Sequence, residues 1–186
     1  GSPCIDSGVI EGSPDTDIEG HARPGADGKV CMGTYESPDE YTSGTIMPSK
    51  RFYVSKAGNN TTGLSWETAF SSIINAMNTM GDDLGEIWIA DGVYKEGETI
   101  INPKRINLIG GFKGFEKDVS RKDVLNYKTI IDGEKSYRCI KNAGVINGLY
   151  ITNGQSSGCG GGVVNIEGTI TNCTVYSNSA KDGGGI

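Results

Sequence analysis

A run of three glycines followed by a β-branched residue occurs twice near the end of the chain. Gly160-Gly161-Gly162-Val163 and Gly183-Gly184-Gly185-Ile186 lie 23 residues apart. The preceding segments, Gly148-Leu149-Tyr150-Ile151-Thr152-Asn153 and Asn172-Cys173-Thr174-Val175-Tyr176-Ser177, match at an interval of 24 residues. In that register Leu149 falls on Cys173 and Ile151 on Val175, so alternate apolar positions agree. A repeat of roughly 20–50 residues marks stacked units that bury their apolar sides only against one another. Each period here alternates at every second residue and turns at glycine, which specifies short strands and a β-solenoid rather than helical repeats.

Strand-like segments precede the regular part: 51–55, 86–90, 98–101, 105–109, 128–131 and 137–140, each bounded by Gly, Asp, Asn or Pro. Between 66 and 80 the spacing changes. Trp66, Ala69, Phe70, Ile73, Ile74, Met77 and Met80 recur as one face of an amphipathic helix, with Ser65 as N-cap and Gly81 as its stop. A solenoid exposes its first coil unless something covers it. The spacing therefore predicts a capping helix over 64–80, with Trp66, Phe70, Ile73, Ile74 and Met77 against the first coil. Residues 111–126 interrupt the strands with mixed charges and read as a solvated loop.

The 186 residues include 29 glycines without a collagen period, so the excess belongs to ordered turns. A net charge of −6 with no basic cluster argues against nucleic acid as a partner. No apolar run approaches the roughly 18 residues of a membrane-spanning helix. Asp15-Thr16-Asp17-Ile18-Glu19-Gly20 matches the opening of a calcium loop, with Asp15, Asp17 and Glu19 as candidate ligands. Ala26 stands where an EF-hand needs its bidentate glutamate, which leaves another calcium geometry or a plain acidic turn. No other cofactor is expected. The single histidine, His21, and the five cysteines form no zinc pattern, and Cys173 reads as a small inward hydrophobe. Asp132 and Glu134 are a weak carboxylate pair near a strand end. Tyr150, Tyr176, Arg138 and Lys141 are candidates for a face that binds carbohydrate.

Phe52-Tyr53-Val54-Ser55, Gly63-Leu64-Ser65-Trp66-Glu67-Thr68-Ala69-Phe70, Ile87-Trp88-Ile89-Ala90-Asp91-Gly92-Val93-Tyr94 and Ile109-Gly110-Gly111-Phe112, followed by Ile130-Ile131-Asp132-Gly133 and the triple-glycine repeats, resemble bacterial surface proteins with a right-handed parallel β-helix. These have the pectate-lyase-like fold and repeats of the polymorphic outer-membrane-protein type. The resemblance covers 52–186 and implies an all-β right-handed parallel β-helix with one N-terminal capping α-helix, located outside the cell or on its surface. Residues 1–36 resemble instead the segment that closes the C-terminal end of such a helix, with Glu19, Ala22 and Cys31 as departures. Cys31 joins Cys4 there; a Cys4–Cys31 disulfide suits an exported protein, and two free thiols are the alternative.

The expected organisation is an end segment over 1–36, a linker over 37–50, and a cap with the first rungs over 51–186. The repeat expects a further strand at Ile186, so Gly183, Gly184, Gly185 and Ile186 are assigned as an assembly edge. Two arrangements follow: an excerpt from consecutive β-helices, or a unit whose leading segment closes the next copy, head to tail, into a filament. The expected function is a non-enzymatic structural or adhesive module whose partners are copies of itself or adjoining β-helix domains. The alternative is a fragment of a polysaccharide lyase or hydrolase, a class the same fold group hosts. Gly81-Asp82-Asp83 looks like one hydrolase motif, but the motifs that accompany it there are absent.

Overall fold

Parallel strands need a crossover between them, and here, after a first crossover that carries the helix, the crossover of each sheet is made by the strands of the others. The computed structural model describes residues 50–81 and 83–186. The end segment, the linker up to residue 49, and with them Cys4, Asp15, Asp17, Glu19, His21 and Cys31, lie outside the described residues. The described residues form fourteen short strands: β1 (Lys50–Val54), β2 (Gly85–Ala90), β3 (Gly92–Tyr94), β4 (Ile100–Asn102), β5 (Ile106–Phe112), β6 (Thr129–Asp132), β7 (Ile140–Asn142), β8 (Val145–Asn147), β9 (Leu149–Thr152), β10 (Gln155–Cys159), β11 (Val163–Asn165), β12 (Thr169–Thr171), β13 (Thr174–Tyr176) and β14 (Ser179–Asp182). They stack as β1-β2-β5-β8-β12, β3-β6-β9-β13, β4-β7-β11 and β10-β14, and every pairing is parallel. Over the described residues the chain is mostly β, with stacked all-parallel sheets arranged as in a β-helix, and one short α-helix.

Because side chains alternate across a strand, in-register pairing turns one apolar position per rung into a continuous inner column. Phe52, Ile87, Leu108, Ile146 and Ile170 form the first. Tyr94, Ile131, Ile151 and Val175 form the second, and Ile100, Ile140 and Val163 the third. All are buried up to the last rung, where Ile170 and Val175 are only partly covered. Each fully buried side chain of this size contributes about 1.5–3 kcal/mol.

A polar column runs beside the third. Asn102, Asn142 and Asn165 are in register; Asn102 Nδ2 donates to Asn142 Oδ1 at 2.7 Å, and Asn142 Nδ2 to Asn165 Oδ1 at 2.8 Å. Asn142 Nδ2 also reaches the Gly144 carbonyl at 3.2 Å. Asn142 is thereby satisfied on both sides, as a buried amide requires, whereas Asn102 Oδ1 has no partner among the described residues.

The repeat read from the glycines is the rung. Tyr150 pairs with Thr174, and the amides of Gly162 and Val163 donate to the carbonyls of Gly184 and Gly185 at 3.0 and 2.9 Å. The second triple glycine thus lies directly on the first, as a further side of the fourth rung. Gly160 needs its glycine for φ +54°. Gly161 needs it because a Cβ there would run into the Ser179 carbonyl of the next rung.

The helix differs from its expected form. α1 spans Ile73–Met80, with Ser72 as N-cap and Gly81 as C-cap, so the stop is as expected and the N-cap is seven residues later than Ser65. Residues 65–70 satisfy helical spacing for two other reasons. Trp66 belongs to a separate cluster, and Phe70 bridges to Val54 in β1, with Ser55 N–H donating to the Phe70 carbonyl at 2.8 Å. The N-terminal amides of α1 are met from elsewhere in the chain: Ile73 and Ile74 N–H donate to the Glu96 carboxylate at 3.1 and 3.2 Å. Ile73, Ala76, Met77 and Met80 are buried against the first rungs, so the capping role holds for the shorter helix.

Candidate functional site

The connection between the first and second sheets is one residue in the first rung, Asp91, one in the third, Gly148, and two in the fourth, Asn172 and Cys173. In the second rung it is residues 113–128. A regular coil carrying one long ordered insertion is the arrangement in which function is placed on a loop held by a rigid frame.

The insertion is held over an aromatic cluster on the outer face of the first sheet. Tyr53, Trp88 and Ile109 stand in register on adjacent strands. Trp88 stacks on Phe112 with centroids 4.6 Å apart and an interplanar angle of 8°. Trp66 closes the group edge-on to Tyr53 at 4.7 Å. The Arg51 guanidinium lies 3.9 Å from the Trp88 ring centroid and pairs with Glu86 at 3.2 Å. Trp66 Nε1–H then donates to the Glu116 carbonyl at 2.9 Å, tying the cluster to the insertion.

Glu116 is the organiser of that loop. It is 6 % exposed, and its carboxylate accepts from the backbone amides of Lys113, Gly114 and Phe115 at 2.7, 2.9 and 3.0 Å. Burial by itself raises the pKa of this carboxyl; the amide donors outweigh it and hold the group below the ordinary glutamate range. Asp118 accepts from Ser120 N–H at 2.8 Å, and Asp123 from Leu125 and Asn126 N–H at 3.1 Å each. At the far end Asp123 N–H donates to the Gly111 carbonyl at 2.7 Å. Lys122 Nζ donates to Asn147 Oδ1 on the next rung at 2.9 Å.

A group whose pKa is lowered on folding stabilises above its unfolded pKa, about 4.3 for glutamate, and loses that contribution as pH falls through the lower folded value. Glu116→Gln is accordingly expected to cost about 2 kcal/mol at pH 7. The gap between wild type and variant in thermal melts should close below about pH 4. A gap unchanged at pH 3 would mean that the carboxylate charge is not what holds the loop.

Held this way, the insertion forms a concavity of about 370 Å³ lined by Phe115, Glu116, Lys117, Arg121 and Tyr127. The Lys113 ammonium lies 5.6 Å from the Phe115 ring and 5.8 Å from the Tyr127 ring. Phe115 is 66 % exposed. A second concavity of about 400 Å³ lies where α1 meets the first rung; Ile74, Met77, Glu98, Ile101, Pro103 and Ile106 are among its walls.

The residues singled out from the sequence are dispersed. Asp82 is not described, and Asp83 pairs with Lys50 at 3.0 Å. Asp132 accepts from Glu134 N–H at 2.9 Å within a turn, and Glu134 reaches Lys95 at 3.4 Å. Both acids are employed in the turn and its flank. Tyr150 and Tyr176 share the outer face of the second sheet, but Lys141 belongs to the third. Arg138 donates to the Gly160 and Cys159 carbonyls and to Ser156 Oγ, each at 2.9 Å, and so holds a corner. The four do not form one face. Cys173 is half-buried against the core, as an inward hydrophobe should be. Burial pushes the Cys139 thiol up to about 11. Gly183 and Ile186 are exposed and Gly184 and Gly185 half-buried, with Ile186 61 % exposed.

Among the described residues no cluster of His, Cys, Asp and Glu is arranged to hold a metal, and no helix is long and apolar enough to cross a membrane. Comparison with family models, with curated proteins and with solved structures found no match.

Proposed function

We propose that this chain is a structural or adhesive β-helix module of an exported protein, and that it works by presenting the 113–128 insertion from the side of a rigid stack. The observation that supports this is the contrast between one- or two-residue connections in three rungs and one long, internally hydrogen-bonded insertion in the other. Stacked sheets locked by columns of isoleucine and asparagine supply stiffness; the insertion supplies chemistry that the strands lack. The ordered motifs between Phe52 and Ile186 support placing the module among bacterial surface β-helices. The last rung adds a second feature: Ile170, Cys173 and Val175 are only partly buried, and another rung, from the same chain or a second copy, would cover them.

The adhesive reading is tested with particles coated with the full chain and presented to bacterial and eukaryotic cell surfaces. Adhesion is expected from the wild type and not from a folded Phe115→Ala, Arg121→Gln double variant. Equal adhesion by both, or by neither, overturns it.

A further inference from the structure

We propose that the concavity of the 113–128 insertion binds a small ligand that carries an anionic group on a ring with an apolar face; the assignment rests on the reading of this insertion as the functional element. The chain has a net charge of −6, yet the residues around this concavity include Lys113, Lys117 and Arg121. None of the three takes part in the ion pairs found among the described residues. The acids nearby keep their charge but spend their oxygens on backbone amides. The Glu116 carboxylate is consumed by three backbone amides, Asp118 by Ser120 and Asp123 by Leu125 and Asn126. Asp118 is itself exposed and near enough to Arg121 for their charges to interact, so what faces solvent is an excess of cations rather than cations alone.

Two rings flank the same space. A single ammonium, that of Lys113, lies within 6 Å of both the Phe115 and the Tyr127 rings. Phe115 is left 66 % exposed although the cluster beneath it buries Trp88 and Phe112 almost entirely. Ring faces accept the C–H faces of a sugar or another aromatic ring. A guanidinium beside an ammonium accepts carboxylate, sulfate or phosphate. The volume, about 370 Å³, suits one ring with one substituent and lies at the lower end of the range of ligand pockets. The Glu116 clamp fixes the backbone of residues 113–115 before any ligand arrives, which reduces the ordering cost of binding.

The test is calorimetric titration of the full chain with four probes: phenyl phosphate, glucose 6-phosphate, inorganic phosphate and methyl glucoside. At least one ring phosphate should bind ten-fold or more tightly than inorganic phosphate, and methyl glucoside should not bind. The stronger of the two ring phosphates identifies an aryl or a sugar source. Arg121→Gln should weaken the ring phosphate ten-fold or more. Phe115→Ala should reduce it towards inorganic phosphate without altering phosphate itself. Both side chains are exposed, so circular dichroism should be unchanged in each variant. Equal binding of all phosphates, no binding at all, or binding only to vesicles of anionic phospholipid through the exposed Val119 and Leu125 overturns the proposal. Adhesion that depends on the loop in a chain that binds none of the probes would leave the adhesive reading standing and this one refuted. Probe binding without adhesion would do the reverse.

Discussion

Asn142→Ala is expected to destabilise the stack by about 3 kcal/mol, because one deletion removes three hydrogen bonds, each worth about 1 kcal/mol. Asn142 is completely buried. Its amide accepts from Asn102 Nδ2 and donates to Asn165 Oδ1 and the Gly144 carbonyl. Alanine removes the link between three rungs, although Asn102 Nδ2 keeps a 3.4 Å contact to the Val145 carbonyl, the Gly144 carbonyl keeps the Thr169 amide, and Asn165 can turn to solvent. For a chain of this size the loss corresponds to a fall of roughly 10 °C in melting temperature. Asn102→Ala should cost less, since Asn102 Oδ1 already lacks a partner among the described residues. Urea unfolding of the two variants side by side measures the difference. Equal losses, or a loss below about 1 kcal/mol for Asn142→Ala, would show that the column is not a unit.

Trp88→Ala should cost somewhat more, about 4 kcal/mol, and with a different local signature. Trp88 is 1 % exposed and contacts Phe112 by stacking, Tyr53 edge-on and Arg51 through its ring face. Its removal opens a hole under the insertion, so amide hydrogen exchange should accelerate across 113–128 and ring-phosphate binding should weaken. Leu108→Ala is the control. Leu108 is fully buried in the inner column on the opposite face of the same sheet; it should lower stability comparably while leaving exchange in the insertion near its wild-type level. If both variants loosen the insertion to the same extent, the two clusters are not mechanically separate.

The rungs were legible because their cause is local. Leu149 and Ile151 recur as Cys173 and Val175, and parallel in-register stacking converts that recurrence directly into a column. The helix start was not legible, since Trp66, Ala69 and Phe70 obey helical spacing by accident of two unrelated contacts. Strand pairing with β1 and the cluster with Trp88 are tertiary, and nothing in a window around Ser65 reports them. The asparagine column escaped notice because the 113–128 insertion lengthens one period, so that Asn102 and Asn142 no longer share the spacing of Asn142 and Asn165. The insertion itself read as a solvated loop. Glu116 carries a charge, and a charge in a mixed-charge stretch predicts exposure; that its carboxylate is folded back onto the amides of the three residues before it depends on backbone direction. Lys113-Gly114-Phe115-Glu116, with a glycine and an aromatic beside the acid, was the available hint.

Parallel strands stack at about 4.8 Å, and the insertion leaves the coil at the second rung. Its height above the capped end is therefore set in whole steps, independent of the side chains that decorate the faces. Gain or loss of a complete period between α1 and β5 would move the presented chemistry by one step along the axis and leave its surroundings nearly unchanged. A coil of this kind is a ruler, on which reach and recognition can be altered separately.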